Sequence, residues 1–153
     1  MFLSTSHNKI DKKGRVSVPK NFRIYLDAEG GSLILFKSLQ FKCIEGTTLK
    51  RIEQYIDAID ELDSMSKEAA ILRMMMADSF EIRYDNEGRI NIPESLLSFA
   101  NIKNSTVFMG IGKSFMIWSN SEYEKEYHNT QKILQSSGPP KLILNKNIDK
   151  SNG

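Results

Sequence analysis

Asp11-Lys12-Lys13-Gly14-Arg15-Val16-Ser17-Val18-Pro19 returns 74 positions later as Asp85-Asn86-Glu87-Gly88-Arg89-Ile90-Asn91-Ile92-Pro93. In both passages Asp-x-x-Gly is turn chemistry: the Asp side chain accepts bonds from nearby backbone N–H groups, and glycine takes up positive φ at little steric cost. The residues that follow alternate polar and apolar, the period of a half-buried strand. Val16 and Val18 therefore share the inward face of one strand, and Ile90 and Ile92 that of the other. Arg15, Ser17, Arg89 and Asn91 face outward. The proline then stops the strand and suits the first turn of a helix.

Outward from this nonapeptide the correspondence runs without a gap to Ile44 and Trp118, matching Phe22 with Leu96, Leu33 with Val107 and Phe41 with Phe115. A repeat of this length organises the whole chain. Each copy reads as strand, turn, strand, short helix, hairpin, so the fold class is α+β, built from tandem-duplicated β-α-β units. The final hairpin strands are placed at Phe41–Ile44 and Phe115–Trp118. Between the copies, Ile52, Tyr55, Ile56 and Ile59 fall on one face of a helix that starts near Thr47 or Thr48. A second helix, from Ser66 to about Ser79, is apolar almost all round, which predicts burial on more than one side. After Trp118, Ser119 or Ser121 caps a helix to about Leu134, and the chain from Ser136 reads as a flexible tail whose adhesive element is Leu142-Ile143-Leu144.

The 153 residues are 40% apolar and 26% charged, a globular composition. The formal charge of +2 hides an uneven distribution. Residues 1–51 hold ten Lys/Arg against four Asp/Glu, and residues 52–100 hold four against eleven. A basic first third beside an acidic middle permits a polyanion partner. No apolar run approaches the roughly 18 residues of a membrane helix, and the opening Met1–Ser4 is too short for a signal-peptide core, so a cytoplasmic protein with no membrane partner is expected.

Catalysis and metal binding find little support. His7 and His128 are isolated, and lone Cys43 has no partner with ligand spacing, so it reads as a small buried residue. Gly110-x-Gly112 lacks the third glycine and following helix of a dinucleotide site. Met74–Met76 reads as core. We expect no enzyme, no cofactor, no metal and no small-molecule substrate.

The outward residues suit another task. Arg reaches phosphate or binds guanine through two hydrogen bonds, and Ser or Asn acts from shorter range. Lys12, Lys13, Lys20 and Arg23 would add phosphate contacts; Asn86 stands at the position of Lys12, and Asn91 at that of Ser17. Asp11, Gly14, Asp85 and Gly88 are read as turn scaffold, since a carboxylate repels phosphate. On the residues alone, Arg15 and Arg89 serve equally as braces for the turns or as DNA readers.

The doubled Asp-x-x-Gly-Arg-x-x-x-Pro near residues 11 and 85 resembles the MraZ family over roughly residues 7–127. Arg23 after Phe22, Arg73, Gly110-Ile111-Gly112 and Phe115–Trp118 sit where that family has them. The resemblance implies a swapped-hairpin, AbrB-like barrel with added helices. It divides the chain into a first repeat (1–51), connecting helices (52–80), a second repeat (81–127), and a helix end and flexible tail (128–153). It further implies double-stranded promoter DNA as ligand, with Arg15 and Arg89 as readers, a ring-like homo-oligomer, nucleoid association, and regulation of the protein's own operon for division and cell-wall synthesis. The sequence departs from the family at Leu97, where a basic residue is usual, and the more basic first copy is expected to contribute more. Two rival functions are an antitoxin-like module whose tail wraps a protein partner and a purely structural ring protein.

Overall fold

The structure, a computed structural model, describes residues 1–144. Its elements are β1 (Thr5–Lys9), β2 (Arg15–Ser17), α1 (Lys20–Ala28), β3 (Ser32–Lys37), β4 (Ile44–Thr48), α2 (Leu49–Asp60), α3 (Lys67–Ala77), β5 (Phe80–Arg83), β6 (Arg89–Asn91), α4 (Glu94–Phe99), β7 (Ser105–Gly110), β8 (Ser114–Trp118) and α5 (Asn120–Ser137). The described residues divide into two units, one over Met1–Tyr123 and the other from Glu124 onward. The fold is α+β, with a mostly antiparallel sheet.

Six strands form one sheet in the order β1-β7-β8-β4-β3-β5, and β2 pairs with β6 in a separate ribbon. The first strand of each repeat pairs with the third strand of the other: Thr5 lies opposite Met109, and Leu35 opposite Phe80. Each repeat thus completes its partner, because neither alone supplies a neighbour for its own first strand.

Alternation along the strands divides the apolar residues between clusters. Leu33 and Leu35 join the main core with Val16, Phe22, Ile90 and Leu96, whereas Ile34 and Phe36 face the other way, onto Ile52 and half-buried Tyr55, Met75 and Met76. At the centre of the main core the Phe2 ring lies 5.2 Å from Phe22 and 4.9 Å from Phe115. Each fully buried side chain of this kind contributes about 1.5–3 kcal/mol. Phe2 carries no periodic signal; it reaches the core because its N–H donates to the Gly112 carbonyl at 2.7 Å and its carbonyl accepts from Gly112 N–H at 2.8 Å. Thr48 and Ser66 cap α2 and α3, accepting from the N–H groups of Arg51 and Ala69.

Three expectations are corrected. The correspondence of the repeats breaks inside the hairpin: Val107 pairs with Trp118, but Leu33 pairs with Thr48 rather than Ile44. Phe41-Lys42-Cys43 belongs to a wide turn, in which Ser38 Oγ accepts from the N–H groups of Gln40 and Phe41 and Ser38 N–H donates to the Cys43 carbonyl. Four extra residues in that turn shift the returning strand. Second, α3 is not buried on several sides within this chain. Ala69 is buried and Met75 and Met76 are half-buried, but Ile71 is 54% and Met74 64% exposed. Third, α5 continues to Ser137, past the expected end near Leu134, with Ser119 Oγ accepting from Glu122 N–H. Leu142, Ile143 and Leu144 are exposed and outside regular structure. The rest of the expected tail, residues 145–153, lies outside the described residues. Among the described residues no helix is long and apolar enough to cross a membrane.

Candidate nucleic-acid interface

The two turns are close copies of one construction. Asp11 Oδ1 accepts from the N–H groups of Lys13 and Arg15, both at 2.9 Å, and its Oδ2 accepts from Arg15 Nε at 2.7 Å. Asp85 Oδ1 accepts from the N–H groups of Glu87 at 2.8 Å and Arg89 at 3.0 Å, with Arg89 Nε at 3.3 Å from Oδ2. The backbone closes each turn, Gly14 N–H donating to the Asp11 carbonyl and Gly88 N–H to that of Asp85. Gly14 has φ +82° and Gly88 φ +78°, which a side chain would strain. The Arg15 and Arg89 backbone N–H groups, foremost, with those of Lys13 and Glu87 and the two guanidiniums, hold both carboxyls below the ordinary carboxylate value of 3.8.

The motifs lie 74 residues apart in the chain and side by side in space. In the β2–β6 ribbon Arg15 stands opposite Asn91, Val16 opposite Ile90 and Ser17 opposite Arg89. Val16 and Ile90 point into the core. By the alternation of a strand, the four polar residues occupy the opposite face as two cross-strand pairs, a few ångströms apart. Val18 N–H donates to the Gly88 carbonyl and Ile92 N–H to the Gly14 carbonyl, both at 2.9 Å, so each strand end is tied to the other repeat's turn. Asn8 Nδ2, which nothing in the sequence singles out, braces β2 by donating to the Ser17 carbonyl at 3.3 Å.

Of the other candidates, Lys12, Lys13 and Asn86 are exposed on the turns, and Lys20 is exposed at the start of α1. Arg23 is half-buried; its Nε donates to the Val18 carbonyl at 3.2 Å, and its guanidinium lies against Gly88. Lys103 was not singled out, yet it lines a groove of about 620 Å³ with Lys12 and Lys13. The exchange between repeats brings the connection after α4 to the first turn.

The turns differ in charge. The first carries Lys12, Lys13 and Arg15 around Asp11. In the second, Arg89 faces two carboxylates, with Nη2 also 3.3 Å from Glu87 Oε2. A cationic face of this kind, on a two-stranded ribbon, is chemically suited to anionic ligands.

The family model described as "MraZ protein, putative antitoxin-like" matches residues 1–74 and again residues 75–142. The transcriptional regulator MraZ of Pelagibacter ubique is 41% identical over 134 residues, 86% of either chain. The proteins of the same name from Rickettsia rickettsii and Rickettsia canadensis are 38% and 37% identical over 135 residues, 87% of this chain and 91% of their own. With both repeats matched in succession and the relatives aligned over most of their own length, this chain belongs to the MraZ family.

Proposed function

We propose that the protein is a transcriptional regulator, not an enzyme, that binds double-stranded DNA through the β2–β6 ribbon. The observation that carries this reading is the convergence of Arg15, Ser17, Arg89 and Asn91 on one outward face. A two-stranded ribbon fits the major groove, where Arg pairs with guanine and Asn with adenine. Lys12, Lys13, Lys20, Asn86 and the Nη edge of Arg23 lie around it for contact with phosphates, and Asp11, Gly14, Asp85 and Gly88 shape the turns. The name carried by the relatives supports regulation as the purpose of such binding.

In finer terms, residues 1–51 and 81–127 are the two readers and 52–80 their connection, in a swapped-hairpin barrel supported by the reciprocal pairing of β1 with β7 and β5 with β3. The ligand is a set of direct repeats in the promoter of the protein's own division and cell-wall operon, bound by a ring-like homo-oligomer at the nucleoid in the cytoplasm. The uncovered Ile71 and Met74 of α3 support self-association, because apolar faces of this kind mark contact surfaces. Gel shifts over a salt series, with the DNA just upstream of the gene, test the proposal. Binding that weakens by about 0.9 log units per phosphate contact for each tenfold rise in salt is expected. Equal affinity for unrelated DNA overturns the sequence-specific reading.

A second reading, a module that neutralises a protein partner, draws on the exposure of Leu142 and Ile143, 86% and 94%. A partner that co-purifies with the protein and is lost on Leu142→Ser with Ile143→Ser would favour it.

A further inference from the structure

The two turns are not held alike. The 74-residue offset sets Arg23 of α1 against Leu97 of α4, and each lies against the glycine of the other repeat's turn. On one side the contacts close a ring. Arg23 Nε donates to the Val18 carbonyl at 3.2 Å, and Val18 N–H donates to the Gly88 carbonyl at 2.9 Å. Gly88 in turn carries the guanidinium so closely that a Cβ there would sit 2.7 Å from Arg23 Cζ and Nη1. Among the described residues Arg23 forms no ion pair, and its guanidinium lies beside the turn that holds Asp85 and Glu87.

On the other side the ring is open. Ile92 N–H donates to the Gly14 carbonyl at 2.9 Å, but Leu97 has no polar atom to return. Its methyl group, 3.5 Å from where a Cβ on Gly14 would be, stands behind the nearer Asn91 Oδ1 and Ile92 carbonyl, both at 3.1 Å, at the edge of the groove of about 620 Å³ between the first turn and α4. A planar cation that makes a hydrogen bond and stacks on the backbone is far more directional than a methyl contact.

We infer that Arg23 is a positioning residue, which fixes the Asp85–Gly88 turn and through it the aim of Arg89, while Leu97 leaves the Asp11–Gly14 turn able to adjust. This rests on the DNA-binding reading above. One ribbon then carries a rigid half and a compliant half. The rigid half sets register, and the compliant half, with its two lysines, follows the local course of the phosphates.

The test uses the full-length protein and the DNA upstream of its gene. Arg23→Lys keeps the charge but loses the planar contact and the Nε–H, and Arg23→Leu copies the other repeat. Each is measured alone and in Arg89→Ala and Arg15→Ala backgrounds, by fluorescence anisotropy at several salt concentrations. Coupling between residues in contact predicts a loss of about tenfold for both single variants. For Arg23→Lys the salt slope should be unchanged. The Arg23→Lys loss should vanish in the Arg89→Ala background and persist in the Arg15→Ala background, and the Arg23→Leu loss should shrink in the Arg89→Ala background to the part due to its phosphate contact. Amide exchange at Val18 and Gly88 should quicken about tenfold in both variants without DNA, with Gly14 unaffected. Wild-type affinity for Arg23→Lys, or a loss that adds fully to that of Arg89→Ala, would show that Arg23 acts as a charge alone and overturn the inference. Wild-type protein that binds no DNA at any salt ends the DNA reading, whereas unchanged exchange at Val18 and Gly88 ends the clamp.

Discussion

Replacing Arg15 by alanine separates DNA contact from turn bracing. The Asp11–Arg15 pair is short, 2.7 Å, but both side chains are 38% exposed, and exposed pairs contribute about 0–1 kcal/mol. Asp11 keeps its bonds from the Lys13 and residue-15 N–H groups in the variant, so the turn should survive. For a chain of this size 1 kcal/mol shifts the melting temperature by about 2–4 °C, which bounds the expected loss. Affinity should respond more strongly. In the proposed complex, a lost two-bond contact to guanine removes about 1–3 kcal/mol per site, roughly five- to 150-fold, and the proposed ring on several repeats multiplies the loss. Arg89→Ala should do less damage, because Arg89 is shared between Asp85 and Glu87 at 3.3 Å each and has less charge to offer DNA. Thermal melts beside anisotropy titrations on the upstream DNA measure both quantities. An Arg15→Ala protein that melts more than about 10 °C early while its folded fraction binds normally would refute the reasoning, and so would a larger binding loss for Arg89→Ala.

Other outcomes follow from particular contacts. In Gly46→Ala the new Cβ would enter the ring of Phe115, which is itself packed by Phe2, Phe22 and Phe108, so urea unfolding should show a loss of about 1–3 kcal/mol or more. Trp118→Ala empties a buried site beside Phe41 and should destabilise by about 3–5 kcal/mol; wild-type stability with lost DNA binding would assign the ring to the ligand instead. Ile71→Glu with Met74→Glu should lower the mass seen by light scattering and lower the melt only by what self-association contributes, because both side chains are largely exposed in the single chain. The carboxyls of Asp11 and Asp85 titrate below 3.8, so the turns draw stability from them above that value and lose it as pH falls through the lowered values. Proton NMR should find the turn amides unchanged from about pH 7 to pH 4 and loosened below; loosening between pH 7 and pH 5 would contradict the assignment.

The parts of the fold that announce themselves locally were legible in the residues. Asp-x-x-Gly marks a turn wherever it occurs, and Arg-Val-Ser-Val alternates whatever it pairs with, so β2, β6 and the helices after them follow from short-range chemistry. The capping threonine and serines were visible for the same reason. The hairpin register was not. Its four-residue difference depends on how Ser38 folds the turn back on itself, and the strand it displaces, Ile44-Glu45-Gly46-Thr47-Thr48, has no apolar alternation to reveal it. The candidate site was legible only as two outward-facing sets, and that they lie side by side was hidden, because the partner of Arg15 is chosen by tertiary pairing with Asn91. Asn8 and Lys103 join it from segments that carry no motif.

The pairing of Thr5 with Met109 has a consequence for synthesis. The first strand leaves the ribosome roughly a hundred residues before the strand that will cover it. At about 5–20 residues per second it waits on the order of 5–20 s with its backbone unsatisfied. Contacts so distant in sequence also make folding slow, since a long loop must close before any of them forms. A chain interrupted after residue 80 would therefore be left with open strand edges, a template for aggregation instead of a working half. Translation stalled between the repeats should yield a chaperone-bound nascent chain, and the protein's folding should begin in earnest only as β7 emerges.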